Sequence, residues 1–560
     1  MPQQHHATYL LISVNCRYSH SCLALYYLRN ELEQYLPNSL AEPIQFSLNE
    51  SYYDTLLTIS NHPAKALFFS VYIWNSGYIS RLITDLATLQ PERPIVLGGP
   101  QAPFLSNPPP LCTIVTGEIE GINSSFYQDL ATGKLKQLYQ ANRASSFTFP
   151  YHDEDFSKSL QNRYIYYESS RGCPFSCSYC LSSTTKGVTH KDLKTVKKEL
   201  SHLLATQPKL IKFVDRTFND NPQRAVEIWQ FLAKNSSNTK FHFEIAPDRF
   251  TSAMEDFLTS VDLDLFQFEI GIQSTNPDTL AAINRSMDVE AATQTVKTLS
   301  ALDTIHIHAD LILGLPHEDK ETFRRSFNQV FNMRPHYLQM GLLKILPTTK
   351  ISTQTKEFGL IHCSEPPYEI LATNWMDHQT LSSLHQFGEC VESFYNNRFF
   401  RSLWNYLINI EEEPFSFFSS LQTICEANNF FSLATTQKLM LEMLCKMAGN
   451  RPDQDLLIEI LCYDWLRCGH RFLPDCLAQF SLTETRAELR RLLPQILDNY
   501  YDHTNRNEFI KNNNFIKLST ATLREIKLYT GNQSGYVCIF PQKTNGVMKH
   551  HKSVLLPIPC

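Results

Sequence analysis

Ser170-Arg171-Gly172-Cys173-Pro174-Phe175-Ser176-Cys177-Ser178-Tyr179-Cys180-Leu181 carries three thiols at a CxxxCxxC spacing, with an aromatic residue directly before the third. Three thiolates can hold three irons of a 4Fe-4S cluster and leave the fourth open to a ligand, as catalytic metal sites keep one position vacant. Ferredoxin runs close their clusters with a fourth cysteine, and here the next cysteine downstream is Cys363. A zinc knuckle would need a second Cys or His pair to complete four ligands, and none stands nearby at that spacing.

Outward from this loop, strand-length and helix-length patterns alternate. Tyr164–Glu168 reads as the strand that delivers the loop at its carboxyl end. Strands at 209–214, 240–245, 264–271, 304–313 and 337–345 then alternate with helices at about 190–206, 222–234, 251–260, 277–302 and 319–332. Six such units predict an open, partial (β/α)6 barrel over residues 163–350, with its chemistry at the carboxyl ends of the strands. Those ends carry Asp215-Arg216-Thr217, Glu244, Glu269 to Gln273-Ser274, and Asp310-Leu311-Ile312. Polar groups inside apolar strands cost free energy unless partnered, so Glu244, Glu269, Gln273 and Asp310 each need a partner. His306 and His308 share one strand face, where packing is the first expectation.

Upstream, residues 8 to about 135 alternate again: strands at Thr8–Val14, Ile44–Leu48, Ala66–Tyr72, Pro94–Leu97 and Cys112–Thr116, with helical patterns at 22–35, 52–60 and 77–89. A parallel sheet covered on both faces follows, and its ligands belong at the strand carboxyl ends. Ser70 and Asn75, Gly98-Gly99-Pro100, and Gly117-Glu118 occupy three of those ends. Residues 141–162, including the aperiodic Phe147–His152, read as a lid or connector. Past residue 350, aromatic residues recur at helical intervals and predict a bundle, closed by a hairpin of Ile526–Tyr529 with Tyr536–Phe540. Cys462, Cys468 and Cys476, with His470, suit neither cluster nor zinc spacing and read as helical core thiols. The predicted class is α/β: a Rossmann-like parallel-sheet domain (1–140), a linker (141–162), a partial barrel (163–350) and a mainly α-helical C-terminal module ending in short strands (351–560).

The formal net charge of -6 gives no global attraction to nucleic acid or acidic membranes. A local basic stretch, Lys186, Lys191, Lys194, Lys197 and Lys198, reads as a solvated helix face, with an RNA or electron-donor contact as the alternative. No apolar run approaches the roughly 18 residues of a membrane span. Fifteen cysteines in a chain opening Met1-Pro-Gln-Gln-His-His6, without a basic and then apolar leader, point to a reducing cytoplasm.

The cysteine loop together with the strand-end set resembles the radical S-adenosylmethionine (SAM) enzymes. The resemblance implies a 4Fe-4S cluster on Cys173, Cys177 and Cys180 whose open iron binds SAM and splits it to methionine and a 5'-deoxyadenosyl radical. It implies that Glu244 and Arg285 meet the amino and carboxylate groups of SAM, that Gln273 and Asp310 lie near its ribose and sulfonium, and that Tyr179 and Ile312 present backbone to adenine. Asp215 and Thr217 stand where many family members carry a Gly-Gly-Glu turn against the SAM amino group, and Ser274 extends the same set. Ser70, Asn75, Gly98, Gly99, Pro100, Gly117 and Glu118, with the loop Asn15–His20, resemble the cobalamin-binding domain that precedes many radical SAM domains. The Asp-x-His-x-x-Gly motif of other cobalamin proteins is absent. The C-terminal module looks like the extension of one uncharacterised subgroup. The implied activity is cobalamin-dependent C-methylation of an unknown substrate, with a flavodoxin or ferredoxin as electron donor. A non-methylating radical SAM enzyme (cyclisation, rearrangement or RNA modification) and a non-catalytic cobalamin or iron-sulfur sensor are the alternatives.

Overall fold

The computed structural model describes residues 7–144, 146–184, 187–236, 238–496, 499, 505–529, 535–543 and 550–557; Met1–His6 and Lys186 lie outside them. Six strands form the first sheet: β1 (Ala7–Asn15), β2 (Ser39–Ser47), β3 (Ala66–Ser70), β4 (Ile95–Gly98), β5 (Cys112–Thr116) and β6 (Leu138–Gln140). All pair in parallel, in the order β2-β1-β3-β4-β5-β6. β3, Ala-Leu-Phe-Phe-Ser, is buried at every position, as a central strand covered on both faces must be. Separate apolar cores lie on the two faces, one around Ile12, Leu67 and Leu82 and one around Leu11, Phe68 and Phe126.

Both edges of this sheet depart from the predicted pattern. β2 begins at Ser39 rather than Ile44 and runs through Pro43. An edge strand tolerates proline because one side of its backbone has no ladder partner. β6 is only three residues long, too short to leave a period.

The second sheet opens with β7 (Ile165–Tyr167). The antiparallel hairpin β8 (Ser170–Cys173) and β9 (Gly187–His190) follows, unmarked by any period in the sequence. Gly172 holds φ +101°, and a Cβ there would run into the carbonyl of Gly187. Parallel strands β10 (Leu210–Phe213), β11 (Lys240–Ile245), β12 (Phe266–Gln273), β13 (His306–Leu313) and β14 (Tyr337–Leu342) complete an open sheet in the order β14-β13-β12-β11-β10-β7. Its helices start where capping residues stand: Asp192, Asn221 and Asp319 each accept a backbone N–H of the first turn.

The alternation inside β12 and β13 sorts the two faces of the barrel. Phe266, Phe268, Ile270 and Ile272 are buried outward against helices, as are Ile307, Ala309, Leu311 and Leu313. Gln267, Glu269, Gly271 and Gln273, and His306, His308, Asp310 and Ile312, face the concave side and are only half-buried. The lumen is therefore polar and open.

The hydrophobic core continues from the barrel into the helices beyond residue 350. Phe327 and Phe331 on the barrel helix Lys320–Phe331 meet Phe387 at 4.9 Å and Trp404 at 6.0 Å between ring centroids. The described residues of the connector between the sheets are packed as well. Phe147 and Tyr151 are buried, and Asp155 holds the buried Arg29 at 2.6 Å. The expected closing hairpin is built differently: Gly535–Lys543 pairs with Asn514–Lys517 and His551–Pro557, while Ile526–Tyr529 follows the helix Thr520–Glu525 without joining the sheet.

Candidate active site

The cysteine loop leaves β8 at the carboxyl-end rim of the barrel and is strapped down from several sides. Ser178 N–H donates to the Ile283 carbonyl at 2.8 Å, Ile351 N–H donates to the Ser178 carbonyl at 2.9 Å, and Asn284 Nδ2 reaches the Ser176 carbonyl at 2.8 Å. Cys177 is buried, whereas Cys173 and Cys180 are half-buried. Arg285 Nη1 donates to Cys177 Sγ at 3.6 Å, and Cys173 Sγ lies 3.6 Å from Thr217 Oγ1. Burial pushes the Cys177 thiol up, and the Arg285 guanidinium opposes it. Among the described residues, no three His, Cys, Asp or Glu side chains stand close enough to share one metal ion. A 4Fe-4S cluster does not ask for that arrangement, since each thiolate binds a different iron.

Arg285 reaches across the loop to the barrel wall, where it also donates to the Gly271 carbonyl. Beside that contact, β12 carries an irregularity between Gly271 and Gln273, and Gln273 takes φ +72°. A Cβ at residue 271 would collide with the Gln273 amide, so the glycine keeps room for Gln273 and Arg285 together. Asp310, paired in register with Gly271, has a buried Oδ1 without any hydrogen-bond partner. Burial, reinforced by Glu269 and Glu244 and opposed by Arg285, pushes its carboxyl well above the usual range. Glu244 is pushed up to about 7 by burial, against the pull of Arg216 at 3.5 Å. A third of its side chain still meets the open lumen. Tyr179 and Ile312 pack against the barrel core from the loop and from β13.

Two members of the predicted set turn away. Asp215 is fully buried and accepts from Ser169 N–H at 3.0 Å, Ser169 Oγ at 2.5 Å and Ser170 Oγ at 2.6 Å. It anchors the start of the cysteine hairpin, and its oxygens do not face the lumen. Ser274 is also buried, donating to Glu318 Oε1 at 2.6 Å, so it braces the loop after β13.

The strand ends of the first sheet enclose a mainly apolar cavity of about 230 Å³. Ser70, Gly98, Gly99, Gly117 and Glu118 line it, beside Leu28 and Phe68. Its size suits one planar ring and not a macrocycle. Gly99 holds φ +103° with no room for a side chain against Val71. Asn75 lies apart from the cavity: its amide donates to the Val14 and Ser70 carbonyls, both at 3.0 Å, and accepts from Tyr72 N–H. Pro100 is exposed and does not line the cavity either.

Arg171, two residues before the first cysteine, lines this same cavity. Its guanidinium gathers Glu118 at 3.0 Å, Glu120 at 2.9 Å and Glu168 at 2.8 Å, with 15% of the side chain exposed. Tyr27 donates to Glu168 at 2.9 Å on the same side. One cation thus ties the end of β5 to the root of the cysteine loop.

A family profile described as the radical SAM superfamily matches residues 167–330. Residues 167–330 are a radical SAM domain. It is a domain of enzymes, and its β10–β13 rim and cysteine loop are the site described above. A second profile, described as a protein of unknown function (DUF4080), matches residues 356–534. The bacteriochlorophyllide d C-12(1)-methyltransferase of Chlorobaculum tepidum is 23% identical over 282 residues, covering 47% of this chain and 60% of that protein. The chain thus spans about three-fifths of that curated relative. Among solved structures, the cobalamin-dependent SAM radical enzyme OxsB, with aqua-cobalamin and SAM bound, shares the fold at a TM-score of 0.56 and 14% identity, covering 85% of this chain and 83% of that one. The radical SAM methyltransferase TsrM of Kitasatospora setae, with cobalamin and a 4Fe-4S cluster bound, gives a TM-score of 0.50 at 15% identity, over 64% of this chain and 78% of that one.

Within the radical SAM domain, the structure brings together Cys177, Arg285, Gly271, Gln273 and Asp310, with Glu244 two strands from Asp310. Of the layer beneath them the sequence reading named Glu269, His306 and His308 but not His242 or Lys212. His242 pairs with Glu269 at 3.1 Å, and His308 with His306 at 2.8 Å. Lys212 stands in register between Tyr166 and His242. Period-two alternation in β11 to β13 is the signal that marks this layer. The reach of Arg171 to Glu118 and Glu120, 53 and 51 residues away, leaves no such signal.

Proposed function

We propose that this chain is a radical SAM enzyme that reductively cleaves SAM on a 4Fe-4S cluster and uses a corrinoid to methylate carbon in a substrate still to be identified. The observation that carries the reading is Asp310, whose buried Oδ1 is left without a partner near Arg285. Such a group is stable in a fold mainly where a ligand completes it. Cys173, Cys177 and Cys180 would hold the cluster. When bound, the cluster supplies the electron that splits SAM, and a corrinoid supplies the methyl group.

The chain's own residues prepare that chemistry. Arg285 stabilises charge on Cys177 and presents a cation to the carboxylate of an amino acid. Glu244, in its ionised form, faces the lumen as the match for an ammonium. Gln273 and Asp310 offer an amide and a carboxyl to ribose hydroxyls. The base-bearing tail of a corrinoid suits the cavity of Ser70, Gly98, Gly99, Gly117 and Glu118, and the likeness to two cobalamin-bound structures supports the choice. Apolar packing behind the lumen holds these polar groups in place. An electron donor such as a flavodoxin or ferredoxin and a reducing compartment complete the reading.

Anaerobic reconstitution with iron, sulfide and hydroxocobalamin tests it. Expected are chain-bound iron, a corrinoid absorbance and, under a strong reductant, 5'-deoxyadenosine from SAM. Methylation adds S-adenosylhomocysteine, because a second SAM recharges the corrinoid. Iron and 5'-deoxyadenosine without corrinoid would remove the methylation and keep radical cleavage. Iron without 5'-deoxyadenosine would remove both.

A further inference from the structure

At the opposite end of the barrel, where β13 and β14 begin, a groove of about 1050 Å³ separates the barrel from the C-terminal helices. Its walls are the end of the helix Val289–Leu302, the turn after Lys320–Phe331, the helix Arg401–Asn409 and the turn at Lys527. Lys297, Arg334, Arg398, Arg401 and Lys527 line it. In a chain of net charge -6, five cations on four separate segments are not the product of composition.

Most acids in the groove are already held by other partners. Glu413 is held by Arg324 at 2.6 Å and Glu412 by Arg451 at 2.9 Å, both partners standing outside the lining. Asp303 is shared by His336 at 3.2 Å and Arg401 at 3.4 Å. Glu411 alone among the lining acids has no cation within ion-pair distance among the described residues. Lys297, Arg334 and Lys527 are exposed and make no ion pair there.

Two atoms of the lining residues are buried without hydrogen-bond partners. Arg398 is anchored through Nη1 to the His336 carbonyl at 3.2 Å, yet its Nε is buried and unbonded. Ser300 Oγ is buried and unbonded as well. Several cations here stand near helix carboxyl termini, whose carbonyls they favour. That role, with the Tyr395 ring 5.8 Å from the guanidinium, explains the anchored Arg398 but not the exposed Lys297 and Lys527.

We infer that this groove is a second ligand site, for a small polyanion carrying two or more phosphate groups. Guanidinium forks and ammonium groups spread over several walls match separated phosphates better than a single carboxylate. The volume is of the order of a small-ligand pocket. The site is remote from the cysteine loop in the fold, so its occupancy does not depend on cluster or corrinoid.

The test is calorimetric titration of the full chain, as purified without reconstitution, with inorganic pyrophosphate and tripolyphosphate at constant ionic strength. Saturable one-to-one binding is expected, at least tenfold weaker in the double variant Arg334→Ala/Lys527→Ala and tenfold weaker again in the charge reversal Arg334→Glu/Lys527→Glu. The control Lys194→Ala/Lys198→Ala, on an exposed basic helix of the barrel, should bind as the parent does. Melting curves of each variant verify folding. No saturable binding, or equal loss in the control pair, overturns the inference. Failure of SAM cleavage in the reconstituted protein would leave it standing.

Discussion

Asp310→Asn separates a ligand-binding carboxyl from a structural one. Asp310 has no hydrogen-bond partner for Oδ1 and is held in its neutral form well past the ordinary carboxylate range by burial and by Glu269 and Glu244. Its folded-state pKa is raised above its unfolded value, so the folded chain binds the proton more tightly. The free-energy cost of the carboxyl is therefore absent below about pH 4 and grows as pH rises above that point, where the unfolded chain ionises and the folded chain resists. An isosteric amide removes this cost. The unfolded chain ionises at pH 8 while the folded chain resists, so the ligand-free variant, which cannot ionise, should gain on the parent near pH 8 by about 1.4 kcal/mol for each pKa unit of the upward shift. The gap should close as pH falls toward about 4. The same substitution should weaken binding of S-adenosylhomocysteine about two- to tenfold, since a hydrogen bond to a neutral group contributes about 0.5–1.5 kcal/mol. Thermal melts at the two ends of the pH range and calorimetry with S-adenosylhomocysteine measure both arms. A variant that melts lower than the parent near pH 8 would refute the reasoning, because Asp310 would then be holding the barrel together.

Arg171→Gln removes the single cation among Glu118, Glu120 and Glu168 and should cost about 3–5 kcal/mol, the range for one partner lost from a buried ion pair. Melting and retained iron after reconstitution should fall together, and Arg171→Lys should restore only part, since a compact ammonium lacks the planar spread of the guanidinium donors; unchanged melting would count against the clamp. With Glu244 poised at about 7, S-adenosylhomocysteine should bind up to about tenfold tighter near pH 8 than near pH 6. Glu244→Gln should flatten that profile, and an equally steep profile in the variant would assign the titration to another group. Gly172→Ala, forced into φ +101° against the Gly187 carbonyl, should cost about 1–3 kcal/mol and lower the iron bound per chain, measured by melting and iron assay.

How much of this was legible in the sequence depended on the range of the interaction. The helices Tyr52–Ser60, Ser76–Leu89 and Lys320–Phe331 lie within a residue or two of their predicted places, because amphipathic periods, and caps such as Ser51 and Asp319, are local. The alternation of Phe266, Phe268, Ile270 and Ile272 with Gln267, Glu269 and Gln273 likewise showed which side of β12 meets the lumen. Asp215 and Ser274 mark where such reading stops. Both stand at strand ends, as expected of ligand-binding groups, yet Asp215 turns to hydroxyls on Ser169 and Ser170, 46 and 45 residues away, and Ser274 to Glu318, 44 residues on. Position along a strand is written in the period; direction of a side chain at its end depends on a distant partner.

The same distinction explains why the groups that met no partner are the informative ones. Asp215 and Ser274 found hydroxyl and carboxyl partners within the chain, and their burial is thereby stable without a ligand. Asp310, three residues from the end of β13, found none, although Arg285 stands close enough to moderate its charge. A barrel that needed only packing would fill that concave position with an aliphatic side chain, as it does at Leu311 and Leu313 on the opposite face. The rigidity behind Asp310 comes from that opposite face and from the aromatic core shared with the C-terminal helices, where Phe327 and Phe331 are locked on both sides. A strongly packed exterior is what lets the lumen keep unpartnered polar groups in place, and those groups are where a zwitterionic nucleoside would find its contacts already oriented.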